Sequence, residues 1–293
     1  CSLSIMSEII ICKSDSIEAE KVWGESPHAT FFSNPKFLDK ISSKVDWYIA
    51  KKVSGNDNYS EFLCAWPICI NSKNEVYLPP FCYYIGPLWS LNSLSVPVHR
   101  KLALETLIYE GFLKKFEETY GGFISSFPIG INDVRIFDWW NYHDSKKNRI
   151  TIEPKYTAII SNLKNIEEIK ENYRKVRRYE LKQIEKLENL FVDNQATHEE
   201  ILFLYQQTFN RQQLEVSEEY LATLRKIINF MDESNSEIIA IRDKMDRNSI
   251  VFVSIILRSR GISNVILTAT EKNYRDRGLS AFGVHNCIKR AIE

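Results

Sequence analysis

The spacing of apolar side chains along the chain predicts a mixture of helices and strands. From 97 to 120, apolar residues recur every three or four positions, which is the period of an amphipathic helix, and Gly121 and Gly122 follow as a helix stop. Shorter apolar runs bounded by turn residues, such as 47–53 before Ser54 and Gly55, predict strands.

Applied to the whole chain, these patterns predict an α+β (mixed α/β) fold. The predicted helices cover 16–23, 35–42, 97–120, 162–190, 197–212, 216–231 and 280–293. The predicted strands cover 9–12, 47–53, 61–71, 122–127, 237–242, 249–257 and 263–270. The second half therefore reads as helices followed by a meander of strands and a closing helix.

Length and composition then bound the organisation of the chain. The 293 residues suit one large domain or two ordinary ones, and the 44% hydrophobic share excludes disorder for most of the chain. We place a boundary between two domains, 6–160 and 161–293. Met6 is expected to be the natural start, and the second domain is expected to be truncated before its last strands, because Glu293 ends a helical pattern.

Charge and cysteine content exclude or disfavour several classes of protein. Lys plus Arg and Asp plus Glu are 38 each, so a generic DNA binder is disfavoured, although a local basic patch is not. No apolar run approaches the length of a membrane span, and the N-terminus does not resemble a signal peptide. The six cysteines are expected to be buried free thiols rather than disulfides or a metal site. We therefore expect a cytoplasmic protein without a bound metal.

The first candidate site is the turn before the closing helix. A strand, a turn with Arg275, Arg277 and Gly278, and a helix start at Ser280 would direct backbone N–H groups toward an anion. The alternative is an ordinary glycine turn with solvated arginines.

The second candidate is a cluster of cations in the predicted helix 162–190. Lys170, Arg174, Arg177 and Arg178 have spacings that place them on one helix face, where they can hold a phosphate-rich ligand. The alternative is a solvent-exposed face paired with neighbouring glutamates.

Aromatic and polar residues supply two further candidates. Trp140, Tyr142 and Tyr156 are candidates for the floor of a binding pocket, with His143 as a proton carrier, unless these rings belong to the core. The last turn of the predicted helix 197–212 carries three polar residues that can reach a ligand. These residues are Thr208, Arg211 and Gln212.

The order of these motifs resembles that of the Fem-like branch of the GNAT acyltransferase fold. An aromatic stretch with Asp133 and Arg135 precedes the arginine helix, then come Tyr205–Gln212, strands and the Arg275 turn. The branch includes peptidoglycan aminoacyl transferases and acyltransferases found with bacterial polysaccharide genes. The resemblance covers about 30–293. It departs from the family pattern at Ser280, where glycine or alanine is usual, and in lacking a helical-hairpin insertion.

The resemblance implies two GNAT-like lobes with a cleft between them, and transfer of an acyl group to an amine. Our first expectation is an N-acyltransferase that uses acyl-coenzyme A and acts on an amino sugar, nucleotide sugar or cell-envelope precursor. Its cofactor-binding residues would be Arg275, Arg277, Gly278 and Ser280, and its acceptor a small molecule or glycan precursor. A backbone N–H would stabilise the oxyanion, so no catalytic side chain is assigned.

Two alternatives stay open. An aminoacyl-tRNA-dependent transferase would extend a peptidoglycan peptide, and its tRNA binding would weaken steeply with salt. A catalytically inactive GNAT-like module would use the same cleft only to bind a ligand or partner. Ser280 in the turn at Gly278 and the low glycine content, 10 of 293 residues, leave this inactive module open.

Overall fold

The computed structural model describes residues 8–53, 60–131, 133–275 and 277–293, without the side chains of Ser60 and Arg275. The chain divides into two compact units, Cys1–Tyr156 and Thr157–Glu293. The sequence placed this division slightly later, between 160 and 161. Each unit contains a four-stranded antiparallel sheet together with helices, which confirms the mixed α/β fold class.

The first unit pairs its strands in chain order, β1-β2-β3-β4. The strands are β1 (Glu8–Ser14), β2 (Lys44–Val53), β3 (Ser60–Ile70) and β4 (Leu88–Trp89). The helices are α1 (Ser16–Glu25), α2 (Pro35–Ile41), α3 (Leu91–Leu94), α4 (Val98–Tyr120) and α5 (Arg135–Trp139). The apolar face of α4 packs on the sheet through Phe112 and Phe116, as its helical spacing predicts.

The core of this unit is built around Trp66 on β3. Six aromatic rings lie edge-on or tilted to its indole, with centroids 5.4 to 6.1 Å away. Phe123 and Phe127 are two of them, and both belong to the segment 122–127 that we predicted as a strand. That prediction is wrong, since the segment pairs only through one bridge between Ser126 and Ile85. Its phenylalanines are instead placed by their contacts with Trp66.

The second unit also pairs its strands in chain order, β5-β6-β7-β8. The strands are β5 (Leu190–Asp193), β6 (Ser236–Asp243), β7 (Ser249–Ser259) and β8 (Ile262–Thr270). The helices are α6 (Ile166–Glu171), α7 (Lys175–Ile184), α8 (His198–Asn210), α9 (Glu218–Phe230), α10 (Lys272–Arg275) and α11 (Leu279–Ile292). Helix α11 packs against the sheet and against α7.

The predicted single helix 162–190 is wrong, because the chain breaks between α6 and α7. The amide groups of Asn172 and Tyr173 donate to carbonyls three residues back, which closes α6, and Arg174 is extended at φ −54° and ψ 144°. Tyr173 at the break directs its hydroxyl to Nδ1 of His285 on α11, 3.3 Å away. The break between α6 and α7 thus coincides with a contact between two residues that are far apart in the sequence.

Cys64, Cys69, Cys82 and Cys287 are buried free thiols, as predicted, whereas Cys12 is free but only partly buried and Cys1 lies outside the described residues. Burial raises the pKa of Cys69 to about 12. Within the described residues, every helix is too short or too polar to cross a membrane.

Candidate functional site

The turn before α11, residues 277–280, is called the Gly278 turn. Gly278 caps α11 in the left-handed region at φ +89°, a conformation that glycine adopts without steric cost. A methyl group at this position would lie 2.5 Å from Cβ of Glu180 on α7. The close packing of these two backbones therefore requires glycine and sets a glutamate side chain beside the turn.

The other residues predicted for this turn have partners within the protein. The guanidinium of Arg277 lies 5.6 Å from the ring centroid of Tyr274, a cation–π contact. The hydroxyl of Ser280 lies 2.9 Å from that of Thr270 at the end of β8. The side chain of Arg275 lies outside the described part of the chain. The described side chains of the turn thus have partners within the protein, and its role as an anion site stays a prediction.

Arg211 follows directly after α8 and contacts Thr270, the residue that is paired with Ser280 of the Gly278 turn. Its Nη1 donates to the carbonyl oxygen of Thr270 at 2.7 Å, and its Nε is buried without a partner among the described residues. Arg211, Thr270 and Ser280 therefore join α8, β8 and α11 in one polar cluster. Because a buried donor without a partner is costly, this Nε is a ligand-contact candidate, as are Nε of Arg258 and Nδ2 of Asn264 in the same unit.

The two other polar residues predicted at the end of α8 are satisfied within the helix. The Thr208 hydroxyl donates to the Leu204 carbonyl at 3.0 Å, and the Gln212 amide donates to the Thr208 carbonyl at 3.5 Å. Among these three predicted residues, Arg211 alone joins the polar cluster.

Arg242 on β6 fixes α8 against the sheet. Its guanidinium donates to the carboxylate of Asp193 at 2.8 Å and to that of Glu200 on α8 at 2.6 Å. It also donates to the carbonyls of Gln195 and Asn248. The hydrogen bond from Arg242 holds the pKa of Glu200 below its ordinary value of 4.5.

We expect this network to make the second unit sensitive to acid. A carboxyl whose pKa is lowered by folding contributes stability above its unfolded pKa, and the contribution is lost as the pH falls through the folded pKa. Arg242→Met should lower the free energy of unfolding at pH 7 by about 1–2 kcal/mol. The difference in free energy of unfolding between variant and wild type should become smaller below pH 4.5. Urea unfolding at several pH values measures this difference.

A matched control is Arg225→Met, which removes an exposed arginine 3.7 Å from Glu218. Exposed pairs contribute little, so this variant should unfold as the wild type does at every pH. If the loss of unfolding free energy for Arg242→Met stays constant down to pH 3, the ion pair between Arg242 and Glu200 does not cause it.

The predicted phosphate-binding face is interrupted, since Lys170 lies on α6 and the three arginines lie at the start of α7. Lys170 belongs to α6 and lies 3.5 Å from Glu185, while Arg177 binds Glu180 at 2.6 Å. Arg174 caps α7 and is exposed, and Arg178 donates weakly to a backbone carbonyl. The prediction is wrong for Lys170, because it assumed a continuous helix, and a phosphate-binding role for the three arginines stays a prediction.

The sequence did not single out the half-buried Tyr173 or the buried His285, which form a pair between the α6–α7 break and α11. Their rings meet edge-on with centroids 5.9 Å apart. Burial, with a smaller contribution from Lys170, lowers the pKa of His285. The imidazole is thus kept neutral near pH 7 and serves to join the two segments.

The first unit contains two adjoining cavities of about 410 and 120 Å³, which we call the α4–α5 pocket. Both are lined by Leu102, Glu105, Tyr109, Asp133 and Arg135. Burial raises the pKa of Glu105, although Lys101 is 3.7 Å away. The Arg135 guanidinium at 2.6 Å lowers the pKa of Asp133.

An exposed tryptophan and a histidine complete this pocket. Trp139 lines the smaller cavity and is 61% exposed, so its ring is free to contact a ligand. His28 lines the larger cavity, and its Nδ1 is buried without a partner among the described residues. Burial and the charge of Lys101 lower the pKa of His28. A few ionisable groups beside an aromatic ring suit a polar organic ligand.

The aromatic residues predicted as a pocket floor do not form one. Trp140 donates to Glu117 at 2.8 Å and packs on the core, and Tyr142 lies against the guanidinium of Arg149. Tyr156 is 96% exposed. The neighbouring Trp139 lines the pocket instead. The helical phase of α5 was the available signal, since Phe137 points inward while Arg135, Ile136 and Trp139 line the cavity.

Comparison with known proteins identifies the class of fold. No family model matches the chain, and no curated protein sequence matches it. Among solved structures, the chain is similar to the crystal structure of FemX, at 11% sequence identity and a TM-score of 0.55. The match covers 96% of this chain and 85% of that one. The chain therefore has a Fem-like fold, as the order of its motifs predicted.

Proposed function

We propose that this chain is a transferase that moves an aminoacyl group from aminoacyl-tRNA to an amine of a cell-envelope precursor, such as a peptidoglycan peptide. The observation that carries the proposal is the likeness to FemX, which extends over 96% of the chain. The resemblance of the sequence links this fold with peptidoglycan aminoacyl transferases. The proposal implies a cytoplasmic reaction, because aminoacyl-tRNA is made there.

The surroundings of the Gly278 turn favour tRNA over the acyl-coenzyme A that we first expected. A pyrophosphate at this turn would lie beside the Glu180 side chain, and the hydroxyl of Ser280 is already paired with Thr270. The Glu180 carboxylate is paired with Arg177 at 2.6 Å, so the crowding at this turn comes from the close packing of the Glu180 stem. This packing supports a donor whose phosphates bind elsewhere.

The chemistry needs no side-chain nucleophile. The amine nitrogen attacks the ester carbonyl carbon, the C–N bond forms, and the ester C–O bond breaks as the ribose oxygen takes up a proton. The amine loses a proton to a base or to water, and a hydrogen-bond donor stabilises the oxyanion. We assign Arg211 to substrate contact through its unpartnered Nε, and leave the base unassigned.

We assign the α4–α5 pocket to the acceptor. Glu105 and Asp133 offer carboxylates for an ammonium group, and the exposed ring of Trp139 offers an apolar face. Such a combination suits a ligand that joins an amine to a sugar or peptide.

The test is a thermal-shift titration of the whole chain with coenzyme A, acetyl-coenzyme A and bulk aminoacyl-tRNA, each at low and moderate salt. We expect a saturable rise in Tm with tRNA that weakens as salt increases, because phosphate contacts release counterions. We expect no shift with coenzyme A. Transfer of a radiolabelled amino acid from the tRNA to a peptidoglycan precursor would then establish the reaction.

Two results would contradict the proposal. A salt-resistant shift with coenzyme A alone would restore the acyl-coenzyme A reaction. An absence of any shift with either donor would favour an inactive binding module.

A further inference from the structure

One face of α7 carries cations around an exposed tyrosine. Lys175, Arg178, Tyr179 and Lys182 are spaced i, i+3, i+4 and i+7, and Lys186 follows in the next turn. All five side chains are exposed, and Tyr179 is 63% exposed. We call these five residues the α7 stripe.

The stripe lies opposite the face that holds α7 in the protein. Leu181 and Ile184 are buried, and Glu180 on the same side packs against the Gly278 turn. With successive residues rotated by about 100°, the stripe is centred on the far side of the helix. It is therefore the outer face of a helix that is anchored from behind.

The positive charges of the stripe are not neutralised by neighbouring acids. Within the described residues, no carboxylate lies within 4.0 Å of Lys175, Arg178, Lys182 or Lys186. The adjacent acids have other partners, since Glu180 is held by Arg177 and Glu185 by Lys170. Four unpaired cations within twelve residues contrast with a chain whose net charge is zero.

An exposed tyrosine between cations is typical of surfaces that bind single-stranded nucleic acid. Cations track the phosphates, while an aromatic ring offers a stacking surface for any base. From Lys175 to Ile184, where α7 ends, the helix rises about 14 Å at about 1.5 Å per residue, and Lys186 lies just beyond it. That length matches about four phosphates of a stacked strand.

We propose that the α7 stripe binds the single-stranded end of an RNA donor, with its cations on the phosphates and Tyr179 stacked on a base. The inference rests on the proposed function, in which aminoacyl-tRNA is the donor, and adds the surface that recognises it. An anionic lipid surface is the competing occupant, and it lacks bases to stack on Tyr179.

The experiment measures binding of the whole chain to deacylated bulk tRNA and to a fluorescein-labelled single-stranded RNA by anisotropy, over a range of salt. The triple variant Lys175→Ala, Arg178→Ala, Lys182→Ala should bind at least tenfold more weakly. Its salt slope should be smaller by about 2, since each phosphate contact on a single strand contributes about 0.7.

The matched control removes three exposed lysines of the first unit, Lys21, Lys52 and Lys114. It has the same net charge as the stripe variant and should keep wild-type affinity. Tyr179→Ala should weaken binding about fivefold or more, whereas Tyr179→Phe should retain it because the ring remains. All these side chains are exposed, so melting curves should match that of the wild type.

The outcomes separate this inference from the proposed function. If wild type binds RNA and the stripe variant binds it equally well, the stripe assignment fails and the proposed donor stands. If wild type binds neither tRNA nor the labelled strand, both fail. Stripe-dependent binding to phosphatidylglycerol vesicles without RNA binding would reassign the stripe to a membrane surface.

Discussion

Replacing Trp66 by alanine is expected to lower the free energy of unfolding of the first unit by about 3–5 kcal/mol. Its side chain is fully buried at the centre of six aromatic rings, and its indole N–H donates to the Ser125 hydroxyl at 3.3 Å. Truncation leaves a cavity. The surrounding rings belong to other segments of the chain, which cannot all move to fill it. Urea unfolding followed by tryptophan fluorescence measures the loss.

The matched control is Trp139→Ala, which removes the exposed tryptophan of the α4–α5 pocket. It should change the stability by no more than about 0.5 kcal/mol, since exposed side chains contribute little. Equal losses for the two variants would contradict the assignment of Trp66 as the centre of the core. All six tryptophans precede residue 150, so their fluorescence reports on the first unit.

Replacing Gly283 by alanine is expected to destabilise the second unit by about 3 kcal/mol, near the upper end for an overpacked core. Alanine usually stabilises a helix interior relative to glycine. Here its methyl group would lie closer than 3.0 Å to three ring carbons of Phe252, which is buried on β7. The helix must therefore shift from the sheet, and the Gly278 turn shifts with it.

Two further variants make this prediction specific. Gly24→Ala in α1, where an added methyl group meets nothing within 4 Å, should stabilise the first unit slightly. Phe252→Leu combined with Gly283→Ala should recover part of the loss, since the two sites are in contact. The measurement is far-UV circular dichroism during urea unfolding. A wild-type curve for Gly283→Ala would contradict the close packing of α11.

The choice of aminoacyl-tRNA as the proposed donor depends on the contact between Gly278 and Glu180, which the spacing of residues along the chain does not reveal. Arg275, Arg277 and Gly278 form a pattern that suggests a pyrophosphate loop, yet Gly278 is required by the nearby Glu180. The same contact turns α7 so that its unpaired cations face outward. The candidate for phosphate recognition therefore moves from the Gly278 turn to the α7 stripe.

The fold class and most of the helices and strands can be predicted from the sequence alone. Helices α4 and α11 follow from apolar residues at helical spacing, and strands β6 to β8 follow from short apolar runs between turn residues. The order of the motifs predicted the Fem-like fold, which the likeness to FemX confirms. It also indicated Arg211, because an arginine at the end of an amphipathic helix is free to reach across to another element.

Three features depend on contacts between residues that are distant in the chain. They are the helix break at Tyr173, the irregular segment around Phe123, and the choice of Trp139 over Trp140 as the ring that lines a cavity. The local pattern at 162–190 is helical throughout, and the contact of Tyr173 with His285 joins residues more than a hundred positions apart. Phe123 is placed by Trp66, since burying one more ring outweighs the local preference for a strand. Contacts between distant residues thus set the positions of the side chains on which a function depends.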